Sequence, residues 1–151
     1  MSDDNLLIDA TTKIFEDLCD PQNINAAKDD SWKQLLWKAL EESGLTSAWV
    51  PEKFGGAGAN ISDGFRIIEV AGKFAVPIAL PETLLGGWLL SKAHINIPKG
   101  ILAVVPTRPR DKLTINSNGT LSGQARGVPF ASEADHIVAV LEDTGSTKVA
   151  L

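Results

Sequence analysis

Apolar residues recur every three or four positions through the first half of the chain, which is the spacing of one face of an α-helix. The first such face precedes a short polar stretch rich in asparagine and aspartate. Its members are Leu7, Ala10, Ile14 and Leu18. The pattern predicts an amphipathic helix at the start of the chain.

A second helix has clearer boundaries. Ser31 followed by Gln34 has the spacing of a capping box, and Gly44 provides a residue that tolerates a left-handed stop. Between them lies one apolar stripe. It consists of Trp32, Leu35, Leu36, Ala39 and Leu40.

Two further helices are predicted. One starts near Ser62 and must end before Val76-Pro77, because a residue that precedes proline avoids the helical conformation. Its expected apolar face is Phe65, Ile68, Gly72 and Ala75.

The other predicted helix begins at Pro81, a favourable first-turn residue, and its apolar residues cover most of the helix circumference. They are Leu84, Leu85, Trp88, Leu89 and Leu90. We expect this helix to be buried on several sides and to present Trp88, Leu89 and Leu90 to a partner surface.

The period changes after the turn-rich residues 96–100. Alternating and β-branched runs predict short strands, and Ser117-Asn118-Gly119 predicts a hairpin turn. The runs are 101–105, 112–116, 120–122, 128–130, 137–141 and 148–151. The predicted fold class is therefore α+β, with an N-terminal all-α helical bundle over residues 1–98 and an incomplete antiparallel β domain over 99–151. A sheet of about five short strands with nothing across its face leaves apolar area uncovered, so we expect the chain to be an expressed fragment, a proteolytic product or one part of a split gene.

Composition narrows the class of protein. The apolar fraction of 44% is typical of a globular core, and the net charge of -5 argues against partners such as nucleic acid or an anionic membrane. No apolar run approaches the length of a membrane span, and the acidic start is unlike a signal peptide, so a cytoplasmic protein is predicted. The single cysteine, Cys19, is interpreted as a buried thiol. His94 and His136 are not in metal-ligand spacing, and no metal site is predicted.

Residues 44–58 carry the most specific pattern of the chain. A glycine-leucine pair at a helix end is followed by an apolar stretch, a proline-glutamate pair and an aromatic-Gly-Gly-x-Gly turn. The sequence is Gly44-Leu45-Thr46-Ser47-Ala48-Trp49-Val50-Pro51-Glu52-Lys53-Phe54-Gly55-Gly56-Ala57-Gly58. It resembles the N-terminal domain of the acyl-CoA dehydrogenases, with an Asp63- and Glu69-bearing helix after it. More loosely, residues 119–123, Val128-Pro129 and Ala134-Asp135 resemble the start of that family's middle β domain.

The glycines of this turn also allow a second interpretation. Gly55, Gly56 and Gly58 have some likeness to a phosphate-binding loop, but no Lys-Ser/Thr pair follows them and no βαβ unit surrounds them. We interpret them as a structural reversal between two helices.

The resemblance implies α,β-dehydrogenation of an acyl-CoA thioester, with a carboxylate base for the α proton and FAD as the hydride acceptor. It also implies an electron-transfer acceptor and a homo- or hetero-oligomer. In the family the base belongs to a C-terminal helical domain, so no catalytic residue is nominated here. Glu41, Glu42, Glu52 and Glu69 are interpreted as solvated or capping carboxylates.

The family's two flavin-contact motifs are altered in this chain. Residues 105–109, Val-Pro-Thr-Arg-Pro, stand where the resemblance places a Thr-Glu-Pro motif, and residues 127–129, Gly-Val-Pro, stand where it places Trp-Ile/Val-Ser/Thr. Backbone groups there are still predicted to contact the cofactor, since a main-chain N–H does not depend on the side chain. The candidate cofactor-binding residues are Val105, Pro106, Thr107, Gly127, Val128 and Pro129. Three readings stay open: a flavoenzyme subunit, a shared-site partner subunit of a mixed assembly, and a stand-alone helical interaction module.

Overall fold

The computed structural model describes residues 3–108, 110–143 and 145–151, and within them helices precede strands. The helices are α1 (Asp3–Leu18), α2 (Pro21–Ala26), α3 (Trp32–Glu42), α4 (Ile61–Lys73) and α5 (Leu80–Lys92), with 3-10 turns at Leu45–Ser47 and Glu52–Phe54. The strands are β1 (Leu102–Val104), β2 (Lys112–Ile115), β3 (Leu121–Gln124), β4 (His136–Asp143) and β5 (Ser146–Ala150). The α+β prediction is confirmed. None of the described helices is long and apolar enough to cross a membrane.

The helix boundaries follow local chemistry. Asn60 accepts a hydrogen bond from the backbone N of Asp63 (3.0 Å) and so caps α4. Gly44 has φ of 71° and ends α3, as predicted. Ser31 stands at the N-cap of α3 but its side chain makes no capping bond, so the predicted capping box is wrong. The reason is its backbone, which is already helical (φ -61°, ψ -26°), whereas a capping residue is extended.

The helical core is built from α1, α3, α4 and the start of α5. Phe15, Leu36, Leu40, Ile67 and Leu84 are all fully buried in it. These side chains come from four helices, so none of the helices can leave without exposing its neighbours.

The buried face of α4 differs from the predicted one. The buried residues are Gly64, Ile67, Val70 and Ala71, whereas Phe65 is 59% exposed. The indole of Trp49 lies directly against Gly64, and the ring of Phe65 packs edge-on against the same indole at the surface (5.2 Å between centroids). The expectation for Phe65 failed because apolar spacing does not reveal which of two adjacent faces admits a large neighbour.

Helix α5 connects the helices to the sheet. As predicted, it is buried on several sides: Leu84 belongs to the helical core, and Leu90 packs with Leu102 and Val138 of the sheet. Leu90 is fully buried there, so the expectation that it faces a partner is wrong. The Thr83 hydroxyl accepts a hydrogen bond from the Leu102 backbone N (3.1 Å), which satisfies a polar group on the outer edge of β1.

The strands form two sheets. One has the order β1-β4-β5, in which β1 and β4 are parallel and β4 and β5 are antiparallel; the other is the antiparallel β2-β3 hairpin. The predicted turn residue Gly119 has φ of 81° in that hairpin. Two details depart from the strand-by-strand expectation: one pairing is parallel, and residues 128–130 lie in a loop and turn instead of a strand. The division at residues 98 and 99 stays a prediction.

Candidate functional site

The glycine-rich reversal is hydrogen-bonded to the residues between the two 3-10 turns. Gly58 N donates to the carbonyl of Val50 (2.9 Å), and Gly56 N donates to that of Pro51 (3.3 Å). Gly55 and Gly58 have φ of 84° and 64°, which favour glycine. A side chain at Gly56 would overlap the carbonyl oxygen of Val50. Because two of its N–H groups are used internally, the turn is a structural reversal and does not cradle a phosphate.

A groove of about 480 Å³ lies beside this reversal. Its lining includes Thr83 and Gly87 of helix α5, Phe54 of the reversal and Lys99 of the loop after α5. Its lining includes both polar and apolar side chains, and among the described residues Lys99 is the one positively charged member.

The first predicted cofactor segment follows β1. The backbone N of Val105 donates to the carbonyl of Val138 (2.9 Å), so this N–H is used within the sheet. Pro106 is half-buried and Thr107 is exposed. Pro109, which belongs to the same segment, lies outside the described residues. Of this segment, Thr107 therefore keeps an accessible hydroxyl.

The second predicted segment lies near the end of the first. Gly127 has φ of 60°, and a Cβ atom placed there would be 2.8 Å from Nη2 of Arg108. Val128 is half-buried and Pro129 is exposed. The fold thus brings the end of the first segment to the second, with the Arg108 guanidinium next to Gly127.

Three arginines surround the meeting point of these segments. Arg108, Arg110 and Arg126 line an open concavity of about 480 Å³ together with Asp111. Sequence reasoning missed this cluster. Arg126 lies in a different loop from the other two, and only the tertiary fold brings it to them.

Apolar surface is exposed on both sides of Trp88. Trp49, Ile61, Phe65 and Leu85 form a purely apolar depression with it, of about 160 Å³. On the other side a wider groove of about 580 Å³ runs between the end of α5 and the β4-β5 pair. Trp88 and Leu89 are half-buried, and the expectation that a partner covers them stays a prediction.

The comparison with known proteins decides the family. The family profile described as "Acyl-CoA dehydrogenase, N-terminal domain" matches residues 1–93, which is more than half of the 151 residues. The chain belongs to the acyl-CoA dehydrogenase family.

A curated acyl-CoA dehydrogenase relative is similar over part of the chain. Acyl-CoA dehydrogenase IpdE2 of Mycolicibacterium smegmatis (strain ATCC 700084 / mc(2)155) is 33% identical over 83 residues, which are 53% of this chain and 27% of the relative. The matched part thus spans about a quarter of that relative's length. No solved structure matches the chain.

The carboxylates of this acyl-CoA dehydrogenase chain that invite a catalytic role lie in the helical unit and mostly have partners. Glu41 accepts a hydrogen bond from the Trp37 indole N–H (3.1 Å), and Glu42 and Glu69 pair with lysines one helical turn away. Glu52 is exposed at the start of the second 3-10 turn. One further carboxylate was missed by sequence reasoning: Oε2 of Glu82 is buried without a hydrogen-bond partner among the described residues. Glu82 lies in the first turn of α5, where the helix dipole favours negative charge.

A metal ion or a flavin ring would need ligands and contacts from the described residues. No group of three His, Cys, Asp or Glu side chains among them is placed to hold a metal ion. At the two predicted flavin segments there is no aromatic side chain, the Val105 N–H is used, and Arg108 lies next to Gly127. The two segments therefore offer no aromatic wall for the isoalloxazine ring of a flavin, and contact of their remaining backbone groups with the cofactor stays a prediction.

Proposed function

We propose that this chain is the N-terminal portion of an FAD-dependent acyl-CoA dehydrogenase subunit that dehydrogenates an acyl-CoA thioester between its α and β carbons. The observation that carries the proposal is the family match over residues 1–93, within which the aromatic-Gly-Gly-x-Gly turn is a bonded reversal between two helices. The start of the middle β domain at residue 99 belongs to the same proposal. So do a cytoplasmic location, an electron-transfer acceptor and a homo- or hetero-oligomeric state.

The helical unit supplies scaffold instead of a proton acceptor. A general base must lie within hydrogen-bond reach of the α proton, in a site that excludes water. Glu41, Glu42 and Glu69 instead lie on helix surfaces in hydrogen bonds or ion pairs. In the proposal the base comes from another part of the protein or assembly, and residues 1–151 alone have no dehydrogenase turnover.

The alternative is a shared-site partner subunit in a mixed assembly. The observation that favours it is the absence of an aromatic side chain at residues 105–107 and 127–129, where the Arg108 guanidinium lies next to Gly127. In this reading the ring contacts come from a better-equipped subunit, and this chain supplies the surface around it.

Purification of the intact gene product, alone and co-expressed with a neighbouring dehydrogenase-like subunit, tests both readings. A flavin absorbance band retained by the protein alone, with turnover of an acyl-CoA in the presence of an electron acceptor, supports the first reading and rules out the partner-only role. Colour and turnover that appear only on co-expression support the second. A colourless, inactive, stable monomer under both conditions contradicts the dehydrogenase proposal and favours a stand-alone interaction module.

The inactivity of residues 1–151 has its own measurement. Clean protein of this length is assayed with a panel of acyl-CoA thioesters and an artificial electron acceptor. Turnover that survives further purification contradicts the assignment of the base to another part of the protein.

A further inference from the structure

The arginine cluster of Arg108, Arg110 and Arg126 concentrates positive charge in an acidic protein. The chain has four arginines, and these are three of them, whereas the net charge of the whole is -5. Around the concavity the formal charge is three guanidinium groups against the one carboxylate of Asp111. A local potential opposite to that of the whole protein attracts anions to this place in particular.

The cluster is held together by backbone contacts and not by ion pairs between its members. Asp111 N donates to the Arg108 carbonyl (3.1 Å), which closes a turn that carries Arg108 and Arg110. Oδ2 of Asp111 accepts a hydrogen bond from the Arg126 backbone N (3.0 Å), which ties the second loop to that turn. The loops therefore fix the positions of the three residues whether or not their side chains are neutralised.

Gly127 lies next to one of the guanidinium groups. Gly127 has φ of 60°, which favours glycine. A Cβ atom at this residue would lie 2.8 Å from Nη2 of Arg108, so a side chain at residue 127 would displace the Arg108 guanidinium. Glycine here thus leaves room for the Arg108 guanidinium beside the loop that carries Arg126.

The lining of the concavity carries more positive than negative charge, with three guanidinium groups and one carboxylate. Within residues 3–108, 110–143 and 145–151, no ion pair includes Arg108, Arg110 or Arg126. An excess of like charge around one concavity favours the binding of an anion there. Guanidinium groups bind phosphate through paired hydrogen bonds, and several of them around one concavity suit a group with many oxygens.

We propose that the arginine cluster binds the phosphate groups of a ligand that contains an adenosine diphosphate unit. The choice of ligand class rests on the proposed function, since FAD and coenzyme A thioesters both carry such a unit. The binding of phosphate itself rests only on the geometry described here. In this arrangement the loops after β1 and before β4 hold the diphosphate end of the ligand, while no ring stacks on them.

The test is calorimetric titration of the intact gene product with inorganic pyrophosphate and with ADP. Saturable binding is expected, and added salt should weaken it because the concavity is open to solvent. Arg126→Gln should weaken pyrophosphate binding about tenfold or more, which is the usual loss for a charge-assisted hydrogen bond. Arg66→Gln is the matched control, since Arg66 is the one arginine outside the cluster and lies on α4. It should leave the affinity unchanged.

Gly127→Ala tests the geometry without removing a charge. It should weaken pyrophosphate binding by displacing Arg108, while circular dichroism shows the same fold as the unaltered protein. Should this variant fold poorly, Arg108→Gln provides the corresponding measurement. Absence of saturable binding, or equal affinities in the cluster variants and in Arg66→Gln, overturns the proposal.

The source of the phosphate is distinguished by comparing coenzyme A with its 3′-dephospho form. Equal affinities for the two, close to that for ADP, assign the diphosphate as the bound group. Markedly tighter binding of coenzyme A assigns the 3′-phosphate and hence the thioester. Failure of this proposal can be told apart from failure of the proposed function. A protein that binds pyrophosphate but has neither flavin nor turnover refutes the dehydrogenase proposal alone. A protein that has flavin and turnover but does not bind pyrophosphate refutes the phosphate site alone.

Discussion

Replacing Gly64 with alanine should destabilise the protein, which is the opposite of the usual effect at a helix interior. Gly64 lies inside α4, where alanine normally gains about 1 kcal/mol over glycine. Here a Cβ atom would overlap the indole nitrogen of Trp49. That indole is 9% exposed and donates to the carbonyl of Ile61 (3.2 Å), so it can move only by giving up this hydrogen bond and part of its packing.

The expected change in the free energy of unfolding follows from the interactions that Trp49 loses. Loss of its hydrogen bond in a partly buried site costs about 1–3 kcal/mol, and the overpacking costs about 1–3 kcal/mol more. The gain in helix propensity offsets about 1 kcal/mol of this. The net expectation for Gly64→Ala is a loss of about 3 kcal/mol in the free energy of unfolding.

Urea denaturation followed by far-UV circular dichroism measures the effect. Gly72→Ala is the matched control, because it changes the same residue type on the same helix at a position where the new Cβ atom meets nothing within 4 Å. It should stabilise the protein by about 0.5–1 kcal/mol. If Gly64→Ala is as stable as Gly72→Ala, the close packing of Trp49 on α4 is wrong.

Three further predictions concern Thr83, Gly56 and Cys19. Thr83→Val removes the hydroxyl that bonds the Leu102 backbone N and should cost about 1–3 kcal/mol in urea unfolding, whereas Thr83→Ser should keep most of the stability; equal stabilities would show that the bond contributes nothing. Gly56→Ala should destabilise the protein by more than about 1 kcal/mol, because its Cβ atom would overlap the Val50 carbonyl, and an unchanged melting temperature would contradict this. Burial raises the pKa of the Cys19 thiol from 9.0 to about 11, so its alkylation in the native state should be about 100-fold slower than in urea at mildly alkaline pH. Because the unfolded thiol ionises first, stability should fall as the pH rises from 9 towards 11, and Cys19→Ala should lose that part of the decline.

Elements with strong local signals could be predicted from the sequence. Gly44 ended α3 and Gly119 turned the hairpin, because a positive φ is a property of one residue and its immediate neighbours. The family resemblance rested on the same kind of signal, in the turn that ends at Gly58. Helix α2 was missed although Asp20 caps it and Pro21 begins it, since six residues are too few to show a period.

Features that depend on distant parts of the chain could not be predicted. The parallel pairing of Leu102 with His136 joins strands that are separated by a whole hairpin. The arginine cluster depends on two loops that meet only in the folded protein, and Asp111 joins them through the backbone of Arg126. The buried face of α4 depended on how Trp49 approaches Gly64.

Helix α5 has a consequence for how this protein is handled. Truncation of the chain at residue 98 looks natural in the sequence. Leu84 of α5 would then stay in the helical core, but Leu90 and the α5 surface at Gly86, which pack against the sheet, would be exposed to water. A bait or antigen made from the helices alone would therefore be prone to self-association. The helices and the strands should also unfold in one cooperative step, so a destabilising substitution beside β1 should lower the stability of α1 as well. In a genetic screen, a substitution that damages the strands would then reduce the amount of the whole polypeptide.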